Sequence, residues 1–142
     1  MILLTLLLTN ILWITYSLTE GVIEGFYWHY ENKSKRVCEF NVNRIFNLQR
    51  LLVLLLSGGF LTYTLGTHSL LCILGMILMF SFFHNGTYYY TRNKLNSSLY
   101  PKKWTDESDT FPTFSLLTSY KKRTIAMSIG ILSQVFIYLF LL

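Results

Sequence analysis

The sequence predicts an all-α integral membrane protein, a bundle of four transmembrane helices with two basic cytoplasmic loops and a short outer turn between helices 2 and 3. Three observations lead to this class. Of the 142 residues, 52% are hydrophobic and only 13% are charged, and the mean hydropathy is +0.41. The 12 basic and 7 acidic residues leave three blocks without charge, at 1–19, 51–91 and 124–142. A water-soluble surface is difficult to build from this composition.

The charge-free blocks set the number and positions of the spans. A hydrocarbon core of about 30 Å needs roughly 20 apolar helical residues, so the outer blocks hold one span each and the middle block holds two. We predict spans at 2–19, 51–65, 70–83 and 124–142. The first helix extends to 30, the second begins at 42 and the third extends to 92, because helical patterning continues beyond the charge-free limits. The spans form a single domain over 1–142.

The N-terminal block is interpreted as a span and not as a cleaved signal peptide. A signal peptide carries basic residues before a short apolar stretch, whereas the segment MILLTLLLTNILWITYSLTEG contains no Lys or Arg. We therefore expect this block to remain in the membrane.

The basic residues predict the orientation. All of them lie either between spans one and two or between spans three and four, and the turn at 66–69 has none. Under the positive-inside rule both basic loops are cytoplasmic, and both termini are extracytoplasmic. Such loops attract anionic headgroups, so the net charge of +5 indicates membrane lipid as a partner and no nucleic acid. In the second loop, Trp104, Phe111 and Phe114 are expected to dip into the headgroup layer.

Polar side chains gather where three predicted helices reach the cytoplasmic face. We call this group the polar layer; its members are Glu20, Glu24, Arg50, His84, Tyr88 and Arg92. Ionisable groups beside a bilayer are costly and often mark functional sites. The alternative is structural, with Arg50 or Arg92 neutralising the two glutamates. The sequence leaves both alternatives open and favours the structural one.

Catalysis and metal binding have weaker support. The weak candidates for ligands to zinc or iron are Glu20, Glu24, His29 and His84. Paired Glu-x-x-His motifs, His-Glu-x-x-His and Gly-x-Ser-x-Gly are all absent from the sequence. An acid–base pair of a glutamate with His84 stays open for chemistry at the membrane interface or for lipid binding. We expect a non-catalytic protein with no metal or cofactor, and no disulfide between Cys38 and Cys72.

A channel formed by several copies is a further alternative. The polar residues at membrane depth are Thr9, Asn10, Thr62, Thr64, Ser128, Ser133 and Gln134. Rings of Asn or Gln from a homo-oligomer can line a pore without charges. Within one chain, the same side chains can instead form hydrogen bonds between helices.

Small residues predict where helices approach one another closely. The first helix carries a ridge of small residues at intervals of four, and the second has a run of them in mid-span: Ser17, Gly21 and Gly25, then Ser57, Gly58 and Gly59. We therefore expect a small polytopic membrane protein that acts through helix packing, self-assembly into a homo-oligomer, or association with membrane-protein partners.

Overall fold

The computed structural model describes residues 2–31, 39–108 and 117–141. Within these residues the chain forms four α-helices and one short 3-10 helix, and it contains no β-strand. The predicted all-α class is therefore confirmed for the described part of the chain. Cys38, Phe111, Phe114 and the basic residues of 33–36 lie outside the described residues, so the predictions about them stay predictions.

The helices are longer than the charge-free blocks from which they were predicted. They are α1, Ile2–Glu31; α2, Glu39–Leu65; α3, Ser69–Leu95; and α4, Tyr120–Leu141, with the 3-10 helix Gly66–His68 between α2 and α3. α2 begins before the predicted start at 42, α3 continues beyond 92, and α4 begins before 124. The early start of α4 has a local cause, because the Ser119 hydroxyl accepts a hydrogen bond from the Lys122 backbone N–H at 3.3 Å and caps the helix.

Three uninterrupted helical stretches are long and apolar enough to cross a membrane: Ile2–Tyr30, Arg44–Leu95 and Tyr120–Phe140. The sequence predicts four spans, and the difference lies in the middle stretch. This stretch has 52 residues and runs from Arg44 within α2 through the 3-10 helix to the end of α3 without a non-helical break. The described part of the chain thus has helices and no strand, with three long apolar helical stretches, of which the middle one covers most of α2 and all of α3.

The middle stretch folds back on itself at Gly66. This glycine has a φ of 58°, in the left-handed region that favours residues without a Cβ. Beside the turn, Thr62 Oγ1 and Ser69 Oγ lie 3.0 Å apart, and at the other end Arg50 Nη2 lies 3.3 Å from His84 Nε2. α2 and α3 therefore form an antiparallel hairpin. Each has 27 residues and is about 40 Å long.

The replacement Gly66→Ala is expected to lower the free energy of unfolding by about 1 kcal/mol, because alanine is strained in the left-handed region. Thermal or denaturant unfolding in detergent micelles measures the change. Gly59→Ala is the matched control, since a Cβ there meets nothing within 4 Å and alanine improves helix propensity. If both variants were as stable as the native protein, the strained turn would not be setting the hairpin.

α3 is the central helix and packs against α1, α2 and α4. On the α1 side, Trp13 Nε1 donates a hydrogen bond to the Met76 carbonyl oxygen at 2.6 Å. On the α4 side, a Cβ on Gly75 would lie only 2.8 Å from the Gly130 carbonyl oxygen, so the two backbones are in close contact. The buried hydrophobic core lies around these contacts and contains Leu6, Trp13, Leu61, Leu65, Cys72, Met76, Met79 and Ile137.

The described part of the chain between α3 and α4 folds back over one end of the bundle. Tyr89 of α3 lies 3.1 Å from Ser108, measured between the two hydroxyl oxygens, and the Ser108 backbone N–H donates to the Thr118 carbonyl oxygen at 2.8 Å. Trp104, expected in the headgroup layer, packs its half-buried indole against α3 at Gly86. A Cβ on Gly86 would overlap that ring, so the glycine makes room for it.

Candidate functional site

Three helices bring four ionisable residues of the polar layer into direct contact. Arg50 Nε donates to Glu20 Oε1 at 2.8 Å, and Arg50 Nη2 donates to Glu24 Oε2 at 3.0 Å. His84 Nε2 lies 2.8 Å from the same Glu24 oxygen. We call Glu20, Glu24, Arg50 and His84 the ion cluster. It joins α1, α2 and α3 at one end of the bundle.

Helix geometry explains why these residues meet. Glu20 and Glu24 are four residues apart, so their carboxylates lie one turn apart on the same face of α1. Arg50 and His84 are separated from the turn at Gly66 by nearly equal lengths of helix, so the antiparallel hairpin brings them level. The guanidinium of Arg50 therefore reaches both carboxylates from a neighbouring helix, and Asn47 Oδ1 accepts from Arg50 Nη1 at 3.2 Å.

The ion cluster is largely removed from solvent. Glu20 is 3% exposed, Glu24 8% and His84 6%, while the Arg50 side chain is 24% exposed. Phe80 covers the cluster, with its ring centroid 5.2 Å from the Arg50 guanidinium carbon. Charges at this depth are stable only when they are paired, and the removal of one partner leaves the other charge uncompensated.

The His84 ring is held on both faces and at both nitrogens. Phe80 stacks on it with the ring centroids 4.9 Å apart, and Tyr88 lies 6.4 Å away in a parallel orientation. Its Nδ1 is 3.1 Å from Asn85 Oδ1, opposite the contact with Glu24. The pair can share a proton between Glu24 and His84, but the Glu24 oxygen in that contact is also bonded to Arg50.

The remaining members of the polar layer lie outside the ion cluster. Tyr88 is buried and its hydroxyl accepts a hydrogen bond from Arg92 Nη1. The Arg92 guanidinium lies 3.9 Å from the centroid of the Tyr100 ring and forms no ion pair with either glutamate among the described residues. Arg50 is therefore the cationic residue that pairs with the two glutamates. Arg92 instead connects α3 to the segment that follows it.

The four metal candidates do not converge. Glu24 and His84 touch, and Glu20 faces Arg50. His29 packs instead against Tyr100, with the ring centroids 5.7 Å apart. Across residues 2–31, 39–108 and 117–141, no three His, Cys, Asp or Glu side chains are grouped as metal ligands would be. The prediction of no metal site stays a prediction.

Two of the candidate channel residues, Asn10 and Gln134, form hydrogen bonds between helices. Asn10 Nδ2 of α1 donates to Gln134 Oε1 of α4 at 3.3 Å, and Gln134 Nε2 donates to the Cys72 carbonyl oxygen of α3 at 2.7 Å. Thr9 Oγ1 donates to the backbone of its own helix at Thr5. The contacts of Asn10 and Gln134 correspond to the alternative of hydrogen bonds between helices, whereas the bond of Thr9 lies within one helix.

The small-residue ridge of α1 faces α3. Ser17 is fully buried. A Cβ on Gly21 would overlap the Thr87 hydroxyl and the His84 carbonyl oxygen, and a Cβ on Gly25 would lie 3.0 Å from Thr91 Cβ. The ridge is therefore occupied by the chain itself, next to the ion cluster.

The small residues of α2, Ser57, Gly58 and Gly59, lie in different environments. Gly58 faces α3, where an added Cβ would lie 3.1 Å from Ile73 Cδ1, whereas Gly59 meets nothing within 4 Å. Ser57 is half-buried beside them. Of the run, Gly58 is the residue in close contact with the neighbouring helix.

Sequence reasoning missed two features. For the contact of Gly75 with Gly130 the sequence does contain a signal, because Gly130 is the single glycine of the last charge-free block. The full burial of Arg123, which is 0% exposed, had none, because basic residues at the end of a span are expected in water.

Comparison of the chain with protein-family models, with curated proteins and with solved structures finds no match. No activity, ligand or partner is therefore carried over from another protein.

Proposed function

We propose that this chain is a four-span membrane protein that acts without catalysis, by associating with copies of itself in the bilayer. The proposal that the chain acts without catalysis rests on Arg50, because this residue is ion-paired to both Glu20 and Glu24. A catalytic carboxylate has to be free to exchange a proton or to meet a substrate. Here the buried carboxylates hold α1 to α2, which supports an architectural role for the ion cluster.

The four-span topology is supported by the hairpin of α2 and α3. A straight middle stretch of 52 residues would be about 78 Å long, far more than a hydrocarbon core of about 30 Å. A hairpin with its turn at Gly66 brings Arg44 and Lys94, which lie near the ends of α2 and α3 that are far from the turn, to the same side. These basic residues then lie at one end of the bundle, and we assign that end to the cytoplasm and to anionic headgroups.

Self-association would use the outer surface of the bundle. The glycine ridge of α1 is already in contact with α3, so it is not available to a second copy. Large apolar side chains are exposed on α1, α2 and α4, among them Leu12 at 63%, Leu56 at 76% and Phe140 at 72%. In a bilayer such side chains contact lipid or another apolar helix, and close packing between copies needs no polar group.

Energy transfer between fluorescently labelled copies in lipid vesicles tests this proposal. We expect transfer above the level of a random distribution, and we expect it to persist as the protein is diluted with lipid. Glu24→Gln and His84→Ala should leave the transfer unchanged in folded protein, because neither residue lies on the outer surface. Random transfer at every density would overturn self-association. Loss of transfer in both variants would instead make the ion cluster a functional site.

A further inference from the structure

The N-terminus of α4 carries positive charge where a helix favours negative charge. Its first turn contains Lys121, Lys122 and Arg123 and no acidic residue. The first turn of a helix carries the positive end of the macrodipole, so cations there are destabilising unless an anion is close by. At α4 the Lys122 backbone N–H is capped by the Ser119 hydroxyl, which is neutral.

Arg123 supplies a second, independent observation. It is 0% exposed, and its side chain runs back past the start of α4 to the loop. There Nη2 donates to the Asp106 carbonyl oxygen at 2.6 Å and lies 3.4 Å from the Trp104 carbonyl oxygen. Its Nε and Nη1 have no hydrogen-bond partner among the described residues. A buried guanidinium with two unbonded donors is costly, and the cost falls when an anionic acceptor binds.

The nearest described carboxylate does not fill this role. Asp106 directs its side chain at the Lys103 backbone N–H, with 2.8 Å between Oδ2 and N, and only its carbonyl oxygen meets Arg123. Among the described residues, the first turn of α4 thus carries three cations, and the Nε and Nη1 donors of the buried one, Arg123, have no hydrogen-bond acceptor.

We propose that the start of α4, with Arg123 at its centre, binds a phosphate group. Phosphate oxygens accept charge-assisted hydrogen bonds from guanidinium and from helix N-terminal N–H groups, and exposed Lys121 and Lys122 attract the anion from solution. The placement of this site at the headgroup level rests on the proposed four-span topology, which makes the phosphate of an anionic lipid one source and free phosphate the other.

Hydrogen exchange of the full chain in neutral detergent micelles tests the site. The probes are phosphatidylglycerol, phosphatidylcholine and inorganic phosphate, added at equal ionic strength. Phosphatidylglycerol should slow exchange at 101–108 and 117–124 more than phosphatidylcholine does, because the choline cation beside the phosphate of the second lipid is repelled by the exposed Lys121 and Lys122. Protection by inorganic phosphate as well would identify a general phosphate site, and protection by the anionic lipid alone would identify a headgroup site. Equal effects of the two lipids, together with no protection by inorganic phosphate, would overturn the proposal.

Native mass spectrometry with variants locates the site. Arg123→Gln should weaken phosphatidylglycerol binding by about tenfold or more, and Lys94→Gln, an exposed lysine at the same end, by less than about twofold. Equal losses of phosphatidylglycerol affinity in the two variants would show that binding depends only on the total positive charge, and would overturn the proposed site. If Arg123→Gln does not fold, the hydrogen-exchange comparison on the native chain decides alone. Neither measurement depends on self-association, so this proposal and the proposed function fail separately.

Discussion

Replacing Gly21 by leucine is expected to destabilise the bundle by about 3 kcal/mol, the upper range for overpacking of a tight contact. A Cβ at this position would overlap the Thr87 hydroxyl and the His84 carbonyl oxygen. Because one of the obstructing atoms belongs to the backbone of α3, a change of rotamer cannot make room. The helices must separate, and the separation also stretches the contact between Glu24 and His84.

Unfolding in detergent micelles measures the effect of Gly21→Leu against that of Gly59→Leu. Gly59 is also a helical glycine of the apolar region, but a Cβ there meets nothing within 4 Å, so Gly59→Leu should change stability by less than about 1 kcal/mol. Gly25→Leu should fall between the two, because its nearest contact is the Thr91 side chain at 3.0 Å. Indistinguishable stabilities for the three variants would refute the close contact of α1 with α3.

The sequence was most informative where a single periodicity set the position of a residue. Glu20 and Glu24 follow the first charge-free block one helical turn apart, Arg50 directly precedes the second block, and His84 follows the predicted span at 70–83. The helical repeat and the span lengths then place these four side chains at the same depth in the bundle, and this predicts that they lie close together. The same reasoning predicted close helix contact at the ridge of Ser17, Gly21 and Gly25, but it could not identify the contacting helix as α3 of the same chain.

The contacts of the loop between α3 and α4 could not be predicted in this way. Trp104 lies in a segment without periodicity, and its place on Gly86 depends on a tertiary contact. Arg123 sits at the edge of a charge-free block, where composition predicts contact with water, yet the returning loop buries it. Patterns within one helix do not determine how an irregular segment covers a helix end.

Replacing Arg50 by methionine is expected to cost about 3–5 kcal/mol, the range measured when one partner of a buried ion pair is removed. Methionine retains much of the length of the side chain and its contact with Phe80 but carries no charge. Glu20 and Glu24 would remain at 3% and 8% exposure without the cation that bonds both. Unfolding in micelles measures the loss, and Lys94→Met, which removes an exposed cation from the same end, should cost less than about 1 kcal/mol.

The triple variant Arg50→Met, Glu20→Gln, Glu24→Gln separates lost packing from uncompensated charge. If buried carboxylate charge causes the loss, neutral glutamines should restore most of the stability, because no charge then stays buried without a partner. His84 keeps a hydrogen-bond acceptor in the glutamine at position 24, so α1 and α3 stay joined. A triple variant as unstable as Arg50→Met would show that the arginine acts through its shape. Recovery would identify charge neutralisation as what this end of the bundle requires.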